Sequence, residues 1–297
     1  MTSSVSPAVP KLVGVIGGGR MGAGIAQVFA AAGATVTIAE SNAHTATAAR
    51  DRVARGLTKA AEKQSHDHQL DTILARLHTV TALTHLPSDA GLVIEAVPER
   101  VEDKIAVLSA AEKVVGGDAV LASNTSSLSI ADLGAALAQP RRFVGMHFFN
   151  PVPASSLIEV VRGPDTDDAT IESALRWVEA LGKSDVLVND SPGFATSRLG
   201  VALGLEAIRL LDEGVADAAA IDRAMELGYR HAMGPLRSTD LVGLDVRLAI
   251  AQHLHETLGE RFRPPHLLRD KVARGELGRK SGQGFYSWPR TEGGQSR

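Results

Sequence analysis

His147 and Glu159 stand twelve positions apart in GMHFFNPVPASSLIEVV (145–161) and are the first residues whose types and spacing suggest chemistry. His147 closes an apolar run, RFVGMHF (142–148), Asn150-Pro151 reads as a turn, and Glu159 sits in a second run, LIEVV (157–161). A strand, a turn and a strand of that length return the carboxylate to the side of the imidazole. A buried carboxylate holds an imidazole in one tautomer and stabilises its protonated form, which is what a general base needs. A histidine on an apolar strand serves equally well as a core residue bonded to a backbone carbonyl. Chemistry is favoured only if a cofactor stands nearby. The other nine histidines fall in helical or polar stretches and read as surface or packing residues. His66 and His68 flank Asp67, but two imidazoles on a polar loop make a poor metal site, and no metal is expected.

A cofactor motif lies upstream. Residues 11–24 read KLVGVIGGGRMGAG, in which Gly17, Gly19 and Gly22 fit G-x-G-x-x-G, with Met21 before the last glycine. The pattern needs a tight turn at the first glycine, close approach of a pyrophosphate at the second and close helix–strand packing at the third. Glycines alone would also fit a plain tight corner. The context is more specific: an apolar strand precedes, the helical AGIAQVFAAAG follows, and a second strand, TVTIAE, ends in Glu40, 23 residues after Gly17. A carboxylate there accepts from ribose hydroxyls and repels a 2′-phosphate, so NAD is expected rather than NADP.

These residues need a scaffold, and the patterning supplies one. Candidate strands are 11–17, 35–40, 91–97, 119–124, 142–148, 157–161 and 185–189. Between them lie helical stretches at 22–32, 44–63, 70–77, 104–115 and 167–181. Several strands are unbroken apolar runs, as expected when both faces are covered. The alternation predicts an α/β fold: a Rossmann-type, doubly wound, mostly parallel sheet. After Asp190 the texture changes to helical candidates at 196–213, 217–227, 239–258 and 266–275, an all-α C-terminal domain. The expected organisation is a flexible tail (1–10), an NAD-binding domain (11–190) and an all-α domain (191–297). In the first of those helices Leu199, Leu203, Ala207, Leu210 and Leu211 recur at helical spacing.

Composition removes other classes. The chain has no cysteine, which excludes disulfides, zinc–thiolate sites and a thiol nucleophile. With 31 basic and 34 acidic residues it has no charge excess to suit nucleic acid or an anionic membrane surface. MTSSVSPAVP lacks a basic, apolar leader pattern, and no window approaches 18 uninterrupted apolar residues, so a cytoplasmic protein is expected.

The ordered set GGGRMGAGIAQ (17–27), EAVPE (95–99), SNTSSLSI (123–130), GMHFFNPVP, EVV, DSPGF (190–194), MGPLRSTDLVGLD (233–245) and GRKSGQGFY (278–286) resembles the 3-hydroxyacyl-CoA dehydrogenase family from about Leu12 to Tyr286. Within it the chain is most similar to the short bacterial 3-hydroxybutyryl-CoA dehydrogenases. The resemblance implies that His147 is the catalytic base and Glu159 its partner, and that Ser126 bonds the substrate oxygen beside the nicotinamide. It also implies that Glu99, Lys104, Asn150 and Lys280 meet NAD, and that Lys63 meets the CoA phosphate. One position departs: the family carries asparagine where this chain has Ser197, and serine keeps a donor with a shorter reach. Two departures are milder: Ala154-Ser155-Ser156 stands where the family often has a bulkier apolar residue and a lysine, and Glu40 where aspartate is more usual.

The implied reaction is reversible, NAD-dependent oxidation of a short (S)-3-hydroxyacyl-CoA, such as 3-hydroxybutyryl-CoA, by a homodimer in which the helical domain (191–297) covers the substrate's acyl group and supplies the dimer face. Two other readings fit the same residues. One is a dehydrogenase of a free 3-hydroxy acid, of the sugar-acid or carnitine type, and the other an NAD(H)-binding redox sensor catalytically weakened at Ser197.

Overall fold

The computed structural model describes residues 8–64 and 70–289. The chain divides between Ser191 and Pro192 into two compact units.

The first unit carries, among the described residues, an eight-stranded sheet in the order β3-β2-β1-β4-β5-β6-β7-β8. The strands are β1 (Leu12–Ile16), β2 (Thr35–Ala39), β3 (Leu77–Val80), β4 (Leu92–Glu95), β5 (Val120–Ser123), β6 (Phe143–Phe148), β7 (Leu157–Arg162) and β8 (Ser184–Asn189). All described pairings are parallel except β6–β7. The strand order turns back on either side of β1, where α/β sheets place ligands beyond the carboxyl ends of their strands.

Helices α1 (Arg20–Ala31), α2 (Ala43–Gln64), α3 (Leu70–Leu74), α4 (Val101–Glu112), α5 (Ile130–Gly134) and α6 (Asp168–Ala180) accompany the strands. The β-branched runs of β1, β2 and β4 bury Val13, Val15, Ile38 and Ile94 completely, packed with Ile25 and Phe29 of α1. Phe29 meets Phe148 of β6 edge to face at 6.4 Å. Thus α1, which follows the glycine turn, shares one core with the strand that carries His147.

Two expectations need correction here. The stretch 70–77 is not one helix: α3 stops at Leu74, and Leu77 opens β3, an edge strand that pairs with β2. Its four residues, LHTV, are too short to show a period against the preceding helical pattern. The short helix α5 was also not anticipated; Ser129 caps it by accepting from the Asp132 N–H.

The second unit is helical: α7 (Thr196–Asp212), α8 (Ala218–Gly228), α9 (Pro235–Val242), α10 (Leu244–Leu258) and α11 (His266–Ala273). The expected helix 239–258 is broken at Gly243, whose φ of 106° no helical residue adopts. On α7 the buried face is Val201, Gly204, Leu205 and Ile208, whereas Leu199 is 70% exposed. Two buried carboxylates hold this unit together. Asp222 accepts from the Leu236 and Arg237 N–H groups and the Tyr286 hydroxyl. Asp240 accepts from the Phe285 and Tyr286 N–H groups and from Trp288 Nε1. That is the structural content of GRKSGQGFY: a Cβ at Gly284 would stand 2.2 Å from Asp240 Oδ1.

Candidate active site

The glycine turn has the geometry a dinucleotide requires. Gly17 takes a φ of 89°, and a Cβ at Gly22 would stand 1.8 Å from the Gly17 carbonyl oxygen. A Cβ at Gly19 would meet nothing within 4 Å, which leaves open space where a pyrophosphate approaches. Gly19 is the N-cap of α1 and has no side-chain cap, so first-turn N–H groups remain for an anion.

A cavity of about 680 Å³ adjoins the turn; its lining includes Gly17, Gly19, Met21, Glu40, Ala96 and Val97. Glu40 follows β2 and accepts the Gly18 N–H through Oε1 at 2.5 Å. It therefore braces the turn from below while it borders the cavity. The donor set, the open second glycine and the carboxylate at the end of β2 together fit a dinucleotide.

Beside the cavity, at the ends of β4 and β5, lies a polar network that is largely buried. Lys104 is 1% exposed and Glu95 fully buried; Lys104 Nζ donates to Glu95 Oε1 at 2.7 Å and stands 3.2 Å from Glu99 Oε2. Ser123 donates to Glu95 Oε2 at 2.6 Å. Glu99 Oε1 accepts from the Thr125 hydroxyl at 2.6 Å, the Ser126 N–H at 2.8 Å and the Ser126 hydroxyl at 3.3 Å. Burial pushes the Glu95 carboxyl above its ordinary value, and Lys104, Ser123 and the Val97 N–H counter this only in part. Burial acts on Glu99 in the same sense, but Lys104 with the Thr125 and Ser126 bonds outweighs it and holds Glu99 below its ordinary value. Glu99, Lys104 and Ser126 are thus brought into one network. Glu95, Ser123 and Thr125 belong to it too, and sequence reasoning passed over them. The signal was available: a carboxylate inside an apolar run, nine residues before a lysine, needs a buried counter-charge.

His147 and Glu159 face each other in register across β6 and β7. The imidazole is 6% exposed and the carboxylate fully buried, with His147 Nδ1 3.0 Å from Glu159 Oε2. A carboxylate can only accept, so Nδ1 is the donor of this bond. The ring also lies against Phe149, with centroids 4.3 Å apart.

The remaining candidates fall elsewhere. Asn150 borders a second cavity, of about 510 Å³, whose lining includes Arg20, Arg52 and Lys59. Ser197 is half-buried in the first turn of α7. Lys280 Nζ donates to Asp245 at 2.6 Å within the helical unit. The side chain of Lys63 and the His66-Asp67-His68 stretch lie outside the described residues. Among the described residues there is no group of three or more histidine or acidic side chains placed to hold a metal ion, and no helix is long and apolar enough to cross a membrane.

A switch-point cavity, a glycine turn and an acid at the end of β2 define the class: an oxidoreductase with a Rossmann-type NAD-binding domain. Residues 12–191 match the family described as 3-hydroxyacyl-CoA dehydrogenase, NAD binding domain, and residues 193–288 match the C-terminal domain of the same family. The chain belongs to the 3-hydroxyacyl-CoA dehydrogenase family. It is 42% identical over 276 residues to a probable 3-hydroxybutyryl-CoA dehydrogenase of Deinococcus radiodurans, covering 93% of this chain and 99% of that one. It is 43% identical over 280 residues to a 3-hydroxybutyryl-CoA dehydrogenase of Mycobacterium tuberculosis, covering 93% and 98%. Among solved structures, the (S)-3-hydroxybutyryl-CoA dehydrogenase of Ralstonia eutropha superposes with a TM-score of 0.90 at 37% identity, covering 95% of this chain and all of that one. M. tuberculosis FadB2 superposes with the same score at 42% identity, covering 94% and 99%.

Proposed function

We propose that the protein catalyses the reversible, NAD-dependent oxidation of (S)-3-hydroxyacyl-CoA to 3-ketoacyl-CoA, with His147 as general base and acid. The observation that carries this reading is the buried His147–Glu159 pair in a chain with an NAD-binding turn. His147 Nε2 takes the proton of the 3-hydroxyl group, and Glu159 stabilises the imidazolium that results. NAD supplies the hydride acceptor. In the reverse direction the protonated imidazole returns its proton to the ketone oxygen. Ser126 and Ser197 hold that oxygen. Gly17, Gly19, Met21, Gly22, Glu40, Glu99, Lys104, Asn150 and Lys280 bind NAD, and Lys63 meets the CoA phosphate.

A short acyl chain is favoured by the names of the relatives at 40–43% identity. A cytoplasmic homodimer belongs to the same proposal. The helical unit exposes Leu199, Val215, Leu227 and Tyr229, each at 63–76%, which is apolar surface a second copy could cover.

The test is NADH consumption by the purified protein with acetoacetyl-CoA, beside free acetoacetate and beside NADPH. Rapid turnover with the thioester and NADH alone is expected. Turnover of the free acid without the thioester would replace this reading by a free-acid dehydrogenase. NADH binding with no turnover of either would leave the sensor.

A further inference from the structure

The turn that follows β5 is built on a buried hydroxyl. Thr125 is fully buried, and its Oγ1 accepts from the Ser127 N–H at 3.3 Å and the Leu128 N–H at 2.9 Å. Its one proton goes to Glu99 Oε1 at 2.6 Å. The direction of each bond is fixed, because a backbone N–H only donates and a carboxylate only accepts. The residue before it, Asn124, accepts the Phe148 N–H at 2.9 Å, so the turn is tied to the strand that carries His147.

Glu99 Oε1 has more donors than lone pairs. The Thr125 hydroxyl and the Ser126 N–H reach it at 2.6 and 2.8 Å, while the Ser126 and Ser127 hydroxyls stand off at 3.3 and 3.4 Å. A carboxylate oxygen offers two lone pairs, and hydroxyl bonds to it close to about 2.5–2.7 Å when they are well made. The two short bonds therefore fill Oε1, and the Ser126 hydroxyl is held loosely. The other oxygen, Oε2, faces Lys104 Nζ at 3.2 Å. Ser126 has a single proton to give. Given to Glu99, it is lost to any substrate oxygen.

We infer that Thr125 is a positioning residue: by filling Glu99 Oε1 it keeps the Ser126 proton free for the substrate oxygen. Without the Thr125 hydroxyl, a carboxylate oxygen with a vacant lone pair would stand 3.3 Å from Ser126 Oγ. An ionised acceptor takes a hydroxyl proton in preference to a neutral ketone oxygen. Ser126 would then turn to Glu99, and His147 would work on an oxygen that has lost its second hydrogen bond. This inference rests on the proposed function, which places Ser126 at that oxygen.

The experiment is a double-mutant cycle of Thr125→Val and Ser126→Ala, read as kcat and KM with acetoacetyl-CoA and as NADH affinity by fluorescence. Thr125→Val is expected to lower kcat by about 10²-fold, the scale of one donor lost from a reacting oxygen, with NADH affinity held within about twofold. Ser126→Ala is expected to cost as much, and in its background Thr125→Val should cost no more than about twofold further. Thr125→Ser keeps the hydroxyl and should keep most of kcat. Thr125→Cys, whose thiol donates weakly, should fall between serine and valine, and it carries the cycle if the valine variant does not fold. Losses that multiply in the double variant would overturn the inference. So would a kcat of wild-type size in Thr125→Val, or a loss that appears in NADH affinity instead, which would leave Thr125 a structural part of the turn. In each of these cases the wild type is active. If the wild type turns over no thioester, the proposed function fails and the inference fails with it.

Discussion

His147 Nδ1 and Glu159 Oε2 stand 3.0 Å apart at directly facing positions of β6 and β7, so the partner of the imidazole is set by strand register. His147→Gln should lower kcat by about 10²–10⁴ while leaving NADH binding, read by fluorescence, unchanged. Glu159→Gln should lower kcat by a similar order, because an amide can hold the wrong tautomer. Near-normal turnover in the histidine variant would remove it as the base.

The glycines of the turn should separate by what surrounds them. Gly22→Ala places a Cβ 1.8 Å from the Gly17 carbonyl oxygen, and it should lower both the melting temperature and NADH affinity. Gly19→Ala meets nothing within 4 Å, so it should melt like wild type and yet bind NADH about tenfold more weakly. Titration calorimetry with a thermal melt reads both. An alanine at 19 with unchanged affinity would mean the pyrophosphate does not approach there.

Glu40 both braces Gly18 and borders the cavity. Glu40→Ala should raise the NADPH-to-NADH ratio of kcat/KM by about tenfold, since it removes the charge that repels a 2′-phosphate. A ratio that stays put would reduce Glu40 to a brace.

Lys104 and Glu95 form an ion pair with side chains 1% and 0% exposed. Lys104→Met strands a buried carboxylate and should cost about 3–5 kcal/mol in urea denaturation, while Lys104→Met with Glu95→Leu should recover most of it. The pH dependence follows from the two carboxyls. Glu99, held low, contributes stability that is present above the ordinary carboxylate pKa and lost as pH falls through its native value. Glu95, pushed up, acts oppositely: stability falls as pH rises from the ordinary value through the raised one. The stability gap between wild type and Lys104→Met should therefore close under acid, when both carboxyls are protonated. A gap constant down to acid pH would mean the lysine acts by packing alone.

Much of this was legible in the chain because periodicity and chemistry coincide. Short β-rich runs, several of them unbroken apolar, marked seven of the strands, and His147 with Glu159 could be paired from a turn and a count of residues. What stayed hidden depends on packing between distant segments. β3 is four residues long and takes its conformation from β2. The break at Gly243 interrupts a stretch whose side chains keep helical spacing on both sides. Arg247 looks like an exposed helical arginine until Gly200 and Gly204 of α7 are seen to make room for it. Glu95 was legible but passed over: a carboxylate among apolar neighbours calls for a counter-charge, which Lys104 supplies.

The hairpin of β6 and β7 carries a further, kinetic consequence. His147 and Glu159 are separated by twelve positions, whereas the glycine turn needs β1 paired on both sides, with β2 23 positions away and with β4 79 positions away, as in Val13 with Leu92. Closing the shorter loop costs less entropy. During refolding the imidazole and its carboxylate should therefore meet early, before the nucleotide cradle exists. On warming, amide exchange should loosen the cradle while the β6–β7 amides remain protected. Inactivation of this protein would then begin as lost grip on the nucleotide, with the proton-handling pair still standing.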